Sequence, residues 1–412
     1  MPYYSNFSKF KEKKNNINLS LRKEFCINYY TKNNMKKYIA LSLILLLSLF
    51  SLTGCYDSKS VENYAYAVGI SLDKSETEDL KLSIQFAESA GNSDSGSSQS
   101  TESTLISVDC NSINTGISII NNFSSHTINL AHCSVIVFSE ELAKEGIGKY
   151  INTFTNDLEV RPTCNIIISE SDGYNFLKTA ASSSEKFSAR YYEYILNSSD
   201  YTGYTTRTPL WSFFGRIKDD TTNPISILSK TANDNVQNIG LAVFKSDKMV
   251  GKISTLDTIF YLILTNELEH ATISIPDPNN KDSNLDIYIV LKNNTKNSVK
   301  LVNNSPFITS NISIEGKILS STSNDTDYSK KEALISVENS LKDYLEEYIT
   351  GFLYTTSKEY NSDICGFGEK LMQTYWTEEE WNKVHWSDIY KNASYDVNVE
   401  TNISSSYLFT KQ

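Results

Sequence analysis

Histidine is scarce in this 412-residue chain, and the four present, His126, His132, His270 and His385, are scattered. None sits in an H-E-x-x-H pattern or beside another, so the spacings that bring ligands together on a metal ion are missing. The six cysteines contain no C-x-x-C pair, which excludes a zinc ribbon and a thioredoxin-like dithiol. There is no G-x-S-x-G, no Walker A loop and no G-x-G-x-x-G opening a helix, so the motif support for serine hydrolases, P-loop enzymes and dinucleotide enzymes is absent. Ser183-Ser184-Glu185-Lys186 matches S-x-x-K formally, but it lies in a serine-rich stretch without companion motifs and reads as coincidence. Glu378, Glu379 and Glu380 follow Thr377 and read as a capped first helical turn, not a catalytic pair. Asp325 and Asp327 lack the glycine and closing Glu of a calcium loop. No catalytic, metal-binding or cofactor-binding residue is assigned, and the chain reads as a non-enzyme.

Positive charge is short as well. The chain holds 38 Lys/Arg against 49 Asp/Glu, a formal net charge of −11. Residues 1–54 carry nine Lys/Arg and two Asp/Glu; without them 29 basic and 47 acidic residues remain, a formal charge near −18. So acidic a body is repelled by nucleic-acid phosphates and by anionic lipid headgroups. Nucleic acid is excluded as a partner. Any hold on a membrane beyond a lipid anchor needs a protein surface.

What the N-terminal end does contain is an export signal. Met35-Lys36-Lys37 precedes the apolar run 39–50, which closes on Leu52-Thr53-Gly54-Cys55. This order of parts predicts a lipoprotein signal peptide over 35–54, with small residues leaving room for alkylation of the Cys55 thiol and cleavage of the Gly54–Cys55 bond. The run 38–53 is shorter than the roughly 20 apolar residues that span a bilayer comfortably, so a permanent transmembrane helix is the weaker reading. Each buried methylene contributes about 0.8 kcal/mol and one acyl chain anchors only marginally, whereas a diacylglyceryl group on Cys55 brings two. Everything from Tyr56 on is then expected on the outer face of the cytoplasmic membrane. Residues 1–34, polar and rich in Asn and Lys, read either as a disordered extension or as sequence upstream of a true start at Met35.

About 358 residues remain after the leader, enough for two or three domains. Strands at 65–72, 80–86, 104–108, 134–138 and 165–168 alternate with helices at 113–123, after an N-cap at Ser139, and after Ser171-Asp172. They predict an N-terminal α/β domain over 55–200. Its Ser/Gly/Asn/Asp-rich tract 89–103 is a polar tip between two strands. A helix over 184–197 ends it, and 201–235 reads as a connector. A middle domain, 236–290, has strands at 239–244 and 249–253 and a helix at 256–264. Further strands at 271–275, 285–291, 298–302 and 307–314 follow in an antiparallel pattern. The C-terminal α+β domain, 291–412, carries a helix at about 330–357 with Leu334, Val337, Leu341, Leu345, Tyr348 and Phe352 along one face, and a last strand at 395–403. Trp376, Trp381 and Trp386 are assigned to core packing. Cys133 and Cys164 read as buried thiols, and the pairing of Cys110, Cys133, Cys164 and Cys365 stays open. The fold class is α+β: a multi-domain ectodomain with mixed and antiparallel sheets packed by helices.

Several phrases occur together between residues 52 and about 400. Tyr56-Asp57 directly follows the lipidated cysteine, and Ala67-Val68-Gly69-Ile70-Ser71-Leu72-Asp73 is an apolar strand ending in Asp. His132 precedes the 134–138 strand and Glu140-Glu141-Leu142-Ala143-Lys144-Glu145-Gly146-Ile147; then come Asp157, Glu159 and Arg161. Gly240-Leu241-Ala242-Val243-Phe244 with Gly251, and Asp363-Ile364-Cys365-Gly366-Phe367-Gly368-Glu369 with Trp381 and Trp386, complete the set. Together these resemble the Ger(x)C lipoproteins, the C subunits of bacterial spore germinant receptors. Tyr56 stands where that family has Trp, Asn156 where an Arg is common, and the tail after Ile403 lacks the glycine-containing ending.

The resemblance implies a three-domain α+β ectodomain on the outer face of the spore inner membrane. It would assemble with an A subunit and a transporter-like B subunit to convert nutrient binding into germination. It does not say whether this subunit touches germinant itself. Its motif positions here are Asp57, Asp73, His132, Glu141, Gly146, Arg161, Gly240, Gly366 and Gly368. By residue type, the glycines suit turns or close packing, and His132 and Arg161 suit internal hydrogen bonds. Two rival classes remain: a solute-binding lipoprotein of a transporter, with two lobes of repeated strand–helix units, and an extracytoplasmic cell-wall hydrolase, with acids or Ser/Lys groups converging in a cleft.

Overall fold

The structure is a computed structural model that describes residues 35–48, 63–87, 104–156, 158–181, 188–197, 202–322 and 326–404. The extension 1–34, the cleavage pair Gly54 and Cys55, Asp57, the tract 89–103, Asp157, the Ser183–Lys186 match and Asp325 lie outside the described residues. Residues 35–48 form a helix about 21 Å long at 1.5 Å per residue. Among the described residues no helix is long and apolar enough to cross a membrane.

From Tyr64 onward the chain is one compact unit built on two sheets. The first has nine strands: β1 (Tyr64–Asp73), β2 (Leu80–Phe86), β3 (Leu105–Cys110), β4 (Thr127–Asn129), β5 (Val135–Ser139), β6 (Asn165–Ser169), β7 (Ile225–Ala232), β8 (Asn235–Lys245) and β9 (Lys248–Ser254). Their order is β3-β2-β1-β5-β6-β7-β8-β9, with β4 beside β1. The central β1, β5, β6 and β7 run parallel, and the flanking hairpins are antiparallel. Every residue of β5 and β6 is buried, because parallel strands are covered on both faces. The period of two then sorts side chains between two cores. Ile136, Phe138, Ile166 and Ile168 meet the helices Ile113–Phe123, Gly148–Asn156 and Leu210–Lys218 on one face. Val135, Val137 and Ile167 meet Phe176, Leu177 and Tyr192 of the helices Gly173–Ala181 and Ser188–Asn197 on the other.

The second sheet has four strands in sequential order: β10 (Ala271–Pro276), β11 (Asn284–Val302), β12 (Ser305–Ser321) and β13 (Ser394–Ser404), the last parallel to its neighbour. Val337, Leu341, Leu345, Ile349 and Phe352 form the apolar stripe of the long helix Lys331–Tyr354, which packs on this sheet. That helix continues as a π turn over Thr355–Glu359. Glu346 accepts the Val399 N–H and Glu338 accepts the Ile403 N–H, each at 2.9 Å, so the helix covers the outer edge of β13.

The fold class is as predicted, but the expected divisions at 235/236 and 290/291 do not follow the sheets. β7, from the expected connector, and β8 and β9, from the expected middle domain, complete the first sheet. Asn233 and Asp234, both at positive φ, make a two-residue turn inside the expected connector, and Asn303 and Asn304 do the same between β11 and β12; such turns match the twist of paired strands. The cut at 290/291 falls inside β11. Pairing irregularities between Leu291 and Lys296 interrupt its alternation, which made one 19-residue strand look like two.

Candidate functional site

The family-motif residues fall into three clusters, two of them structural. Asp73, at the end of β1, accepts the N–H groups of Gly173 at 2.5 Å and Tyr174 at 3.0 Å, with Ser71 adding its hydroxyl at 3.3 Å. It thus caps a helix a hundred residues away, the end where a carboxylate meets free donors and a favourable dipole. Burial pushes its pKa up, and the backbone donors oppose this. A Cβ on Gly173 would stand 2.6 Å from that of Ser71.

Nearby, Ser139 caps the helix Glu140–Glu145 by accepting from the Leu142 N–H, as its sequence predicts. Lys74 pairs with Glu141 at 3.1 Å and Glu145 at 2.7 Å, while Lys252 of β9 joins Glu140 at 2.7 Å to Glu170 at 2.8 Å. Burial works against the charge of Glu140, but hydrogen bonds from Lys144 and Lys252 win and hold its pKa low. Gly146 ends the helix at φ +120. Gly240 is at φ +135, where a Cβ would lie 2.0 Å from the Ile253 carbonyl oxygen.

The second cluster closes around Asp363. Its carboxylate accepts the N–H groups of Cys365, Gly366 and Gly368 at 3.2, 3.0 and 2.8 Å and the indole N–H of Trp386 at 3.1 Å. Burial raises its pKa to about 6 against these donors. Gly366 is at φ +75, and a Cβ on Gly368 would strike the Thr221 carbonyl and the Trp386 indole at 2.5 Å. Trp381 and Trp386 are core residues, as expected, but Trp376 is 95% exposed. Its place after the Phe367–Met372 helix turns it outward, a correction to the expectation that all three pack inside.

The third cluster is open. His132 and Arg161 both line a cleft of about 760 Å³, together with Arg190, Glu193 and Arg207. The His132 ring meets Tyr66 edge-on at 4.7 Å. Arg161 is exposed. Arg207 donates to Asn197 Oδ1 at 2.6 Å, and Arg190 stands 5.7 Å from the Tyr194 ring. At the inner end, Cys133 and Cys164 are buried, with their sulfurs 3.9 Å apart. Arg190 and Arg207 have no motif in the sequence; the sole signal is the rarity of arginine. Among the described residues no three His, Cys, Asp or Glu side chains are placed to hold a metal ion.

Comparison with known proteins extends over nearly the whole chain. Residues 57–229 match the family described as spore germination protein N-terminal domain, and 239–407 match "Spore germination B3/GerAC like, C-terminal". Spore germination protein GerQC of Bacillus cereus is 24% identical over 376 residues, covering 90% of this chain and 99% of that protein. Spore germination protein KC of Bacillus subtilis is 24% identical over 397 residues, covering 90% and 96%. The crystal structure of the GerBC protein aligns with a TM-score of 0.52 at 16% identity, over 84% of this chain and 99% of that one, and shares the fold.

Proposed function

The chain belongs to the Ger(x)C family of spore germination proteins, matched from residue 57 to 407, and from that premise we propose that it is the lipid-anchored C subunit of a nutrient germinant receptor. A germinant-receptor role goes with the family. The finer reading is that Cys55 carries a diacylglyceryl group, that the body sits on the outer face of the spore inner membrane, and that it acts with membrane-embedded A and B subunits. It works through protein contacts and catalyses no reaction.

The observation that carries this reading is the junction of two independent signals. The stretch 35–54 has the order of parts of a lipoprotein signal peptide and is followed by Cys55, and the family match begins at residue 57. Clusters that hold the motif residues also support it: Asp73 and Asp363 spend their charge on backbone N–H groups and present no reactive group to solvent. A solute-binding lipoprotein would call for two lobes of repeated strand–helix units, whereas β10, β11 and β12 pair antiparallel.

Replacing Cys55 with Ala tests it in spores. Nutrient germination through this receptor should drop while the ectodomain stays folded, and A and B subunits should no longer co-purify with it from membranes. Full germination by an unlipidated, released protein would overturn the reading.

A further inference from the structure

Arginine is used five times in the chain: Arg22 lies before the signal peptide, and of the other four, Arg161, Arg190 and Arg207 line the same cleft. They come from three separate parts of the fold. Arg161 precedes β6, Arg190 is on the helix Ser188–Asn197, and Arg207 precedes the helix Leu210–Lys218. All three are exposed. Among the described lining residues Glu193 is the one acid. Elsewhere the body carries positive charge on lysine and on the single further arginine, Arg216, and its formal total after residue 54 is near −18.

Gathering guanidinium groups in one concavity costs mutual repulsion, and a cleft in which positive charge outnumbers negative focuses its field on mobile anions. Arginine differs from lysine in presenting a planar fork that matches two oxygens of a carboxylate or phosphate at once. The volume, about 760 Å³, lies within the range of small-molecule sites. We propose that this cleft binds a small anion bearing carboxylate or phosphate groups, gripped by Arg161, Arg190 and Arg207, with His132 on the rim and Glu193 selecting against excess negative charge. The proposal goes beyond the receptor reading and does not depend on it; loss of the lipid or of the membrane subunits would leave this binding intact.

Titration calorimetry on the full chain in neutral detergent tests it, with citrate and inorganic phosphate as free probes and phosphatidylglycerol or phosphatidylcholine micelles as lipid probes. Saturable binding of citrate or phosphate is expected, with Kd on the order of 0.1 mM. Arg161→Gln, Arg190→Gln and Arg207→Gln should each weaken it about tenfold, the size of a lost charged hydrogen bond. Their unfolding temperatures should match that of the parent, since all three side chains are exposed. Lys317→Gln, which removes one exposed positive charge from β12, should leave the affinity within about twofold. No binding of either free anion, equal weakening by Lys317→Gln, or binding confined to phosphatidylglycerol would each overturn the proposal.

Discussion

Trp386 donates its indole N–H to the carboxylate of Asp363 at 3.1 Å, across a 23-residue gap. The same carboxylate holds the turn that starts the Phe367–Met372 helix. Removing it with Asp363→Ala strands several buried donors and should cost about 2–4 kcal/mol, read by urea unfolding.

The pKa of Asp363 gives this site a pH signature. Burial raises it from 3.8 to about 6. Between about pH 4 and 6 the folded chain therefore holds a proton that the unfolded chain has released. The contribution of this group to stability is greatest below pH 4, falls as pH rises to 6, and is flat above, a change of about 3 kcal/mol at most. Asp363→Asn should remove that slope, so the stability difference between parent and variant should narrow or reverse as pH rises from 4 to 7.

Two glycine substitutions should act with opposite sign. Gly240→Ala forces a Cβ onto a carbonyl oxygen 2.0 Å away at φ +135 and should destabilise by about 2–4 kcal/mol. Gly351 lies in the long helix with open space where its Cβ would go, so Gly351→Ala should stabilise by about 0.5–1 kcal/mol. Denaturant midpoints of the two variants against the parent check both.

The four cysteines of the folded body, Cys110, Cys133, Cys164 and Cys365, are free thiols. Burial pushes the Cys164 thiol well up in pKa, with Cys133 adding to the shift, so Cys164 does not react as a thiolate near neutral pH, and burial shields both sulfurs from solvent. Iodoacetamide should label Cys133 and Cys164 only after unfolding in guanidinium, as read by peptide mass spectrometry. A cross-linked peptide joining the two would show instead that they pair.

The two family regions meet within the β7–β8 turn zone, yet β8 and β9 belong to the sheet of the first region. Separating the chain between Asn233 and Asp234 would leave β7 with an unpaired edge and β8 with an exposed apolar run, Leu241–Phe244 being buried in the intact protein. Neither part should give a cooperative unfolding transition alone, and mixing them should restore one.

Short-range features were legible in the sequence. The helix Ile113–Phe123, the caps at Ser139 and Thr377 and the stripe from Val337 to Phe352 depend on residues three to seven apart. Long-range features were not. Asp73 reads as the end of a strand, and its work as a cap on Gly173 exists only once β1 and that helix meet. The Asn233-Asp234 turn looks like a linker until its strands pair. The arginine cleft joins positions 161, 190 and 207 through tertiary structure alone. Trp376 shows the converse failure: a large apolar ring predicts burial, but its neighbours turn it to solvent.

Glu338 and Glu346, two turns apart on one helix, occupy amides that would otherwise offer β13 as a template for a neighbouring chain. Proteins crowded in one plane collide far more often than the same number free in solution. By closing that border with its own carboxylates, the molecule can be packed densely beside identical copies without zipping into fibrils, and its associations are left to surfaces formed by side chains.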